Sequence, residues 1–204
     1  FLDKDGQRIL IGWMGLPDTS YPSDNDGWAH CLTLPRVLTI EEGKLKQRPI
    51  KALESLRTNE ETALGYANKF ARQLYPYEGT QYELIIDILE NDATALYFEV
   101  RTSKQFSTLI TYDTRSKKLT LDRSESGSLP EPVEGVTRTT TLDTDLSQLR
   151  IFVDTSSIEI FCNDGESVLT SRIFTDEEAT GIKASTESGQ AYLRFTKYDL
   201  KDDK

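Results

Sequence analysis

The chain has 204 residues, of which 37% are hydrophobic and 9% aromatic, enough for a buried core in one large domain or in one domain plus part of another. Its formal net charge of −10 repels nucleic-acid phosphates and anionic lipids, so we expect neither nucleic acid nor a membrane as a partner. The sequence contains no apolar run near the roughly 20 residues that span a bilayer, and no signal peptide is predicted.

Short strand-like runs alternate with turns in the first 50 residues. Residues 8–14 are predicted as a strand, and the alternation over 27–36 predicts a second strand, ended by Pro35, which has no N–H for a ladder. The segment between them, LPDTSYPSDND, is rich in turn formers, so the two strands are expected to be antiparallel with a long loop. Another tight turn is predicted at 41–44.

Four short strands of this kind make one blade of a β-propeller. A single blade cannot bury both of its faces, so residues 1–50 are expected to need neighbouring blades that lie outside this sequence. The chain also begins at Phe1 without a methionine, and we expect a fragment or a processed chain.

Residues 51–58, KALESLRT, contain good helix formers with Leu53 and Leu56 on one side, and predict a short linker helix. Residues 59–76 leave two interpretations. Their apolar residues recur at helical spacing, which indicates an amphipathic helix, but Gly65 lies inside that window and weakens the pattern.

From residue 81 onward the pattern is that of short strands separated by turns. Asn163-Asp164-Gly165 predicts a hairpin turn, and residues 123–140, which contain Ser, Gly and Pro, predict a loop. Many short strands at regular spacing are typical of a two-sheet β-sandwich, so an all-β protein is expected. The predicted strands are 82–89, 95–101, 107–113, 118–122, 149–153, 157–162, 167–174, 180–184 and 191–198.

Several motifs resemble glycoside hydrolase family 32, in particular its bacterial members that act on sucrose 6-phosphate. The early part matches through IGWMG, YPSD, GWAHCLTLPR and KLKQRPIKALESLR, and the later part through DTSSIEIFCNDGESVLTSRIF at 154–174. The resemblance implies the last blade of a five-bladed catalytic β-propeller at 1–50, a linker helix at 51–58 and a C-terminal β-sandwich module at 59–204. It also favours a strand at about 69–74.

The activity implied by the resemblance is retaining hydrolysis of sucrose 6-phosphate, or sucrose, to glucose 6-phosphate, or glucose, and fructose. In the family, the catalytic carboxylates lie in a Trp-Met-Asn-Asp-Pro-Asn-Gly-like stretch, an Arg-Asp-Pro motif and a Glu-Cys motif, and none of these occurs here. We therefore assign no catalytic residue to this chain and expect it to be inactive alone. Its expected partners are the missing N-terminal part of the propeller and a small sugar or sugar phosphate.

Trp13 is the one candidate substrate-binding residue. In the resembling family a Trp on the corresponding strand lines the sugar pocket, where an indole face suits the apolar face of a sugar; the alternative is a packing role within the blade. Trp28 is expected to pack between strands. His30, the only histidine, is interpreted as structural. A weaker hypothesis lets His30 or Arg36 bind a sugar phosphate, although Arg36 is equally expected to pair within the blade.

No metal site and no cofactor are predicted. The acidic loop at 24–27 resembles a calcium loop, but Pro22 occupies the place of the first Asp and no Glu follows at the required spacing. Cys31 and Cys162, the only cysteines, are too few for a structural zinc site and are expected to be buried free thiols, which suits a reducing cytoplasm. In some members of the family the sandwich also contributes to dimer contacts, so a homodimer through it is expected.

Two alternatives to the enzyme-fragment interpretation remain. One is a stand-alone carbohydrate-binding β-sandwich, and the other is part of a levan or inulin hydrolase. A free-standing module has no use for a blade edge that exposes Ile9, Ile11, Trp13 and Leu34, because such an edge promotes aggregation. The first alternative is therefore disfavoured, whereas the sequence leaves the second open.

Overall fold

The computed structural model describes residues 1–70 and 72–201, with side chains described outside 71–76. Within these ranges the regular elements are β-strands and two short 3₁₀ helices, Pro22–Asp26 and Lys51–Leu56, which confirms the all-β prediction. The strands are β1 Arg8–Leu10, β2 Trp13–Met14, β3 Cys31–Leu32, β4 Arg36–Glu41, β5 Lys44–Pro49, β6 Arg57–Ala67, β7 Arg72–Glu78, β8 Tyr82–Asn91, β9 Ala95–Thr102, β10 Thr108–Asp113, β11 Lys118–Asp122, β12 Thr137–Thr141, β13 Gln148–Asp154, β14 Ser157–Cys162, β15 Ser167–Arg172, β16 Gly181–Thr186 and β17 Ala191–Leu200.

Two six-stranded antiparallel sheets form the predicted sandwich. Their strand orders are β12-β11-β10-β9-β16-β7 and β15-β14-β13-β8-β17-β6. The alternation that predicted the strands also sets their faces: on β13, Leu149, Ile151 and Val153 are fully buried, as expected for a strand whose successive side chains point to opposite faces. One contiguous hydrophobic core lies between the sheets.

Residues 1–50 form two small antiparallel sheets, β1-β4-β5 and β2-β3. The predicted strand over 8–14 is wrong as a single element, because the chain changes partners at Gly12. The Gly12 N–H donates to the Thr33 hydroxyl at 2.8 Å, and the Thr33 N–H donates back to the Gly12 carbonyl at 2.8 Å. The expected antiparallel pair with a long loop is confirmed, since Trp13 lies opposite Leu32.

The predicted second strand over 27–36 is much shorter than expected. Only Cys31–Leu32 is extended in a ladder, and Arg36 already belongs to the next strand, β4. The 3₁₀ helix at Pro22–Asp26 ends at Gly27, whose φ of 82° suits a residue without Cβ. The loop therefore continues through residues whose alternation predicts a strand.

The region predicted as a helix at 51–58 is a 3₁₀ helix over Lys51–Leu56, and Arg57 already begins β6. The helical interpretation of 59–76 is wrong. Residues 57–67 pair with β17 along their length, and this ladder outweighs the helical spacing of their apolar residues. The favoured strand at about 69–74 begins only at residue 72 in the structure, and residue 71 lies outside the described residues.

The turn predictions are confirmed, whereas the loop prediction at 123–140 is wrong at its end. Asn163, Asp164 and Gly165 all have positive φ and join β14 to β15, and Glu42 and Gly43 likewise join β4 to β5. By contrast, strand β12 begins inside the predicted loop. Its sequence, TRTTT, is polar on both faces, so no alternation is visible, and only pairing with β11 makes it a strand.

Neither of the two helices in the described ranges is long and apolar enough to cross a membrane.

Candidate functional site

A cleft of 410 Å³ lies where residues 1–50 meet the sandwich. One wall comes from β2 and the loop after it, and the other from the end of β15 and the loop between β11 and β12. It is lined by Trp13, Met14, Gly15, Leu16, Thr19, Tyr21, Thr33, Arg36, Arg123, Pro130, Pro132, Glu134, Arg138, Thr170, Ser171 and Arg172.

Trp13, the predicted sugar-binding residue, lies on this cleft and is 56% exposed. Its indole ring meets the His30 imidazole edge-on, with ring centroids 4.9 Å apart and an interplanar angle of 83°. A large exposed apolar side chain beside a cleft is available for a ligand in a way that a buried packing Trp is not.

His30 is held between two aromatic rings. On its other side Tyr21 also meets it edge-on, with ring centroids 5.3 Å apart. Gly15 makes room for the imidazole, because a Cβ at that position would come within 2.4 Å of His30 Cδ2. These contacts are those of a packing side chain, and they agree with the structural interpretation of His30.

Arg172 ties this aromatic group to the sandwich, and sequence reasoning missed it. Its guanidinium lies 5.3 Å from the ring centroid of Tyr21, 5.1 Å from that of Trp28 and 4.8 Å from that of Phe174. It also donates to the carbonyl oxygens of Met14, at 3.4 Å, and Ala29, at 3.1 Å. Met14 directly follows Trp13 in sequence, and Ala29 directly precedes His30. Arg172, on β15, therefore holds the backbone beside both Trp13 and His30.

The prediction that Trp28 packs between strands is wrong. Trp28 lies outside any strand and is 41% exposed, with its ring against the Arg172 guanidinium. The cause is the left-handed Gly27, which ends the preceding 3₁₀ helix and turns the chain toward Arg172 before β3 begins. Nothing local in the sequence marks this contact, because the two residues are far apart in the chain.

Arg36 pairs mainly with the sandwich rather than within residues 1–50, which corrects the expectation of a partner in the blade. It is 7% exposed, and its Nη2 donates to Glu159 Oε2 at 2.5 Å and to the Thr170 hydroxyl at 2.7 Å. Within its own region it reaches only Gln47 Oε1, at 3.1 Å. The other oxygen of Glu159 accepts the Leu34 N–H at 2.6 Å. The Arg36 guanidinium is thus already occupied, which disfavours a direct contact with a sugar phosphate.

A second junction joins β5 to the turn between β14 and β15. The Gln47 N–H donates to the Gly165 carbonyl at 3.0 Å, and Arg48 Nη2 lies 2.7 Å from a carboxylate oxygen of Asp164. A Cβ at residue 165 would come within 2.2 Å of the Gln47 carbonyl oxygen, so the glycine is needed for this close approach as well as for the turn. Hydrogen bonds from Arg48 and then Thr39 lower the pKa of Glu41 to about 2.

Both cysteines are free thiols, as predicted, with Cys162 buried and Cys31 only partly buried. Burial raises the pKa of Cys162 to about 12 and also raises that of Cys31. Within residues 1–70 and 72–201, no group of three or more His, Cys, Asp and Glu side chains is arranged to hold a metal ion. The acidic segment at 24–27 is part of the 3₁₀ helix and its cap instead.

Comparisons with known proteins identify the chain's relatives. The sucrose-6-phosphate hydrolase of Staphylococcus xylosus is 81% identical over 203 residues, which is all of this chain and 41% of that protein. The sucrose-6-phosphate hydrolase of Escherichia coli is 34% identical over 95% of this chain and 39% of its own length. The chain therefore spans about two fifths of the length of these two relatives.

Solved structures agree with this relationship. The sucrose-6-phosphate hydrolase of Lactobacillus gasseri superposes with a TM-score of 0.80 at 32% identity, over 97% of this chain and 39% of that one. Fructan 1-exohydrolase IIa from Cichorium intybus, at 18% identity, shares the fold with a TM-score of 0.83 over 100% of this chain and 47% of its own.

Family models divide the chain in two. Residues 1–49 match the glycosyl hydrolases family 32 N-terminal domain, and residues 50–202 match the glycosyl hydrolases family 32 C terminal. The second match covers well over half of the chain, and strands β6 to β17, which form the sandwich, lie within it. The chain belongs to glycosyl hydrolase family 32.

Proposed function

We propose that this chain is the C-terminal part of a retaining β-fructofuranosidase that hydrolyses sucrose 6-phosphate, or sucrose, to glucose 6-phosphate, or glucose, and fructose. The observation that carries the proposal is the 81% identity, along the whole chain, to a protein named sucrose-6-phosphate hydrolase. The remainder of the same enzyme, which would supply the catalytic carboxylates, is the principal partner in this proposal.

In the same proposal, residues 1–50 are the last blade of the catalytic propeller, 51–58 the linker and 59–204 the sandwich module. The change between family models after residue 49 supports this division. The exposed apolar side chains of residues 1–50 support it too, because further blades would cover them. Apart from Trp13, which faces the cleft, they are Phe1, Leu2, Leu10, Ile11, Leu16, Trp28, Leu32, Ile40 and Leu45. A free-standing carbohydrate-binding module would leave these side chains in water, so it is the weaker candidate.

Trp13 is, in this proposal, a wall of the sugar pocket. Its exposure on the cleft and its fixed neighbours support the role: His30 packs against the ring, and Arg172 holds the adjacent Met14 carbonyl. A rigid aromatic face costs little entropy when a sugar ring packs on it, and its N–H can donate to a hydroxyl.

We expect Trp13→Ala in the intact enzyme to lower kcat/KM for sucrose 6-phosphate by about 10–100-fold, because one contact worth roughly 1–3 kcal/mol is lost. Trp13→Phe, which keeps an aromatic face, should lose less. Phe70→Ala is the matched control, since Phe70 is 63% exposed and lies outside the cleft. Initial rates and a melting curve are measured for each variant. Unchanged kinetics for Trp13→Ala, or unfolding of this variant, would mean that Trp13 packs within the blade and does not line the sugar pocket.

A homodimer through the sandwich is the second part of the proposal. Strand β6 is the edge of its sheet and exposes Leu64 and Tyr66, and the Tyr66 ring lies 4.7 Å from that of Tyr192. An exposed apolar edge of this kind is where a second copy would pair. We expect sedimentation of the intact protein to give a dimer and Tyr66→Asp to give a monomer, whereas Val133→Asp, on an exposed loop, should change nothing. A monomeric parent protein would exclude the dimer.

A cytoplasmic location is proposed on the two free thiols, which a reducing compartment maintains. Fractionation of the source cells tests it, and recovery of the protein outside the cytosol would exclude it.

A further inference from the structure

The cleft beside Trp13 is lined by four arginines, although the chain as a whole carries a formal net charge of −10. Arg36, Arg123 and Arg172 are each at least nine-tenths buried, and Arg138 is exposed. Such a local concentration of positive charge in an acidic protein is unfavourable unless something opposes it. Each of the four positive charges therefore needs an opposing group nearby.

Only one of the four is paired with a carboxylate. Arg36 bonds Glu159 at 2.5 Å, whereas Arg123, Arg138 and Arg172 form no ion pair with any described residue. Glu134 is the only carboxylate among the described residues that line the cleft. Four arginines against Glu159 and the unpaired Glu134 leave this region with a net surplus of two positive charges.

The side chains of Arg123 and Arg138 bond backbone carbonyls only. Arg123 Nη1 and Nη2 donate to the carbonyls of Arg172, at 3.3 Å, and Glu134, at 3.1 Å. The Arg123 Nε–H is buried and has no acceptor among the described atoms. Burial, and after it the charge of Arg138, lower the pKa of Arg123. A buried guanidinium donor without an acceptor is costly in a folded protein.

Arg138 differs from the other three arginines in being exposed. It donates to the Gly135 and Thr137 carbonyls from an exposed position on β12. An exposed guanidinium at the mouth of a cleft can turn toward an anion and bind it through two parallel N–H groups. The buried Arg123 and Arg172 would then raise the positive potential from the wall behind it.

We propose that this cleft binds a phosphate monoester dianion, with Arg138 in direct contact and Arg123 and Arg172 supplying positive charge from the wall. The surplus of two positive charges matches the dianion. Two sources of the phosphate share this chemistry: a free phosphate ion, and the phosphate of a sugar phosphate that reaches the cleft past Trp13. Only the second source rests on the proposed function.

Direct binding is tested with inorganic phosphate and the intact protein. Calorimetric titration at constant ionic strength should show saturable phosphate binding, while chloride at the same ionic strength should not. Arg138→Gln should weaken it by about tenfold or more, as expected for the loss of a charge-assisted contact. Arg115→Gln is the matched control, because Arg115 is exposed and lies outside the cleft. No phosphate binding beyond the chloride control, or equal weakening in both variants, would overturn the proposal.

Hydrolysis kinetics then separate the two sources. If the phosphate belongs to the substrate, Arg138→Gln should raise KM for sucrose 6-phosphate by about tenfold and leave KM for sucrose unchanged. If it is a free ion, phosphate should bind without competing with either sugar. Absence of all hydrolysis would contradict the proposed function alone, since phosphate binding is measured independently of turnover.

Discussion

The chain on its own is expected to release neither fructose nor glucose 6-phosphate from sucrose 6-phosphate at a rate above buffer. Retaining glycosidases need two carboxyl groups about 5–5.5 Å apart, one as nucleophile and one as acid. The family motifs that carry these groups are absent from the sequence, and the described lining of the cleft beside Trp13 offers Glu134 alone. A binding wall without the reacting groups leaves the barrier almost unchanged.

The measurement compares the purified chain, the intact enzyme, and the chain mixed with the missing part as a separate polypeptide. We expect a rate at least about 10⁴-fold below that of the intact enzyme for the chain alone, since both proton transfer and nucleophilic attack are lost. Turnover only in the mixture would support the proposed division of the enzyme. Turnover by the chain alone, abolished by Glu134→Gln, would place catalysis in this cleft instead.

The second large effect concerns Glu159, which joins residues 1–50 to the sandwich. Glu159→Leu should lower the free energy of unfolding of the intact protein by about 3–5 kcal/mol, because it leaves the buried Arg36 without its counter-charge. It also leaves the Leu34 N–H without the acceptor that it now meets at 2.6 Å. The loss is measured by denaturant unfolding.

Two further variants make this test specific. Arg36→Met combined with Glu159→Leu should recover much of the loss, since a buried ion pair can be replaced by apolar side chains at little cost. Asp143→Ala removes the partner of Lys44, in a pair whose side chains are 58% and 59% exposed, and should cost at most about 1 kcal/mol. Equal losses for Glu159→Leu and Asp143→Ala would mean that the buried pair does not hold the junction.

Local sequence determined much of the sandwich. Strand β11 alternates polar and apolar residues, and its period of two both predicts extended structure and selects the buried face, which carries Leu119 and Leu121. Turns that need a positive φ, such as the one at Asn163-Asp164-Gly165, carry the residues that tolerate it. The family motifs likewise indicate the fold and single out Trp13.

Local sequence patterns predicted the wrong structure where pairing with a neighbouring strand outweighed local preference. β6 has helical spacing but is a strand because β17 lies beside it, and β12 has no apolar face at all. The strand predicted at 8–14 splits at Gly12 because Thr33 bonds the backbone there. In each case the deciding hydrogen bonds come from residues that are distant in the chain, or from residues that become neighbours only when the sheet forms.

The candidate site shows the same division most clearly. The sequence by itself, through the family resemblance, made Trp13 a candidate sugar-binding residue and showed that the family's catalytic carboxylate motifs are missing. Only the tertiary structure decided that Arg172 holds the neighbours of Trp13, that Glu159 occupies Arg36, and that Arg123 and Arg138 share a cleft with both. These contacts join residues that are distant in the chain or lie on separate loops, and no local spacing can encode them, because they arise from how one sheet packs against another.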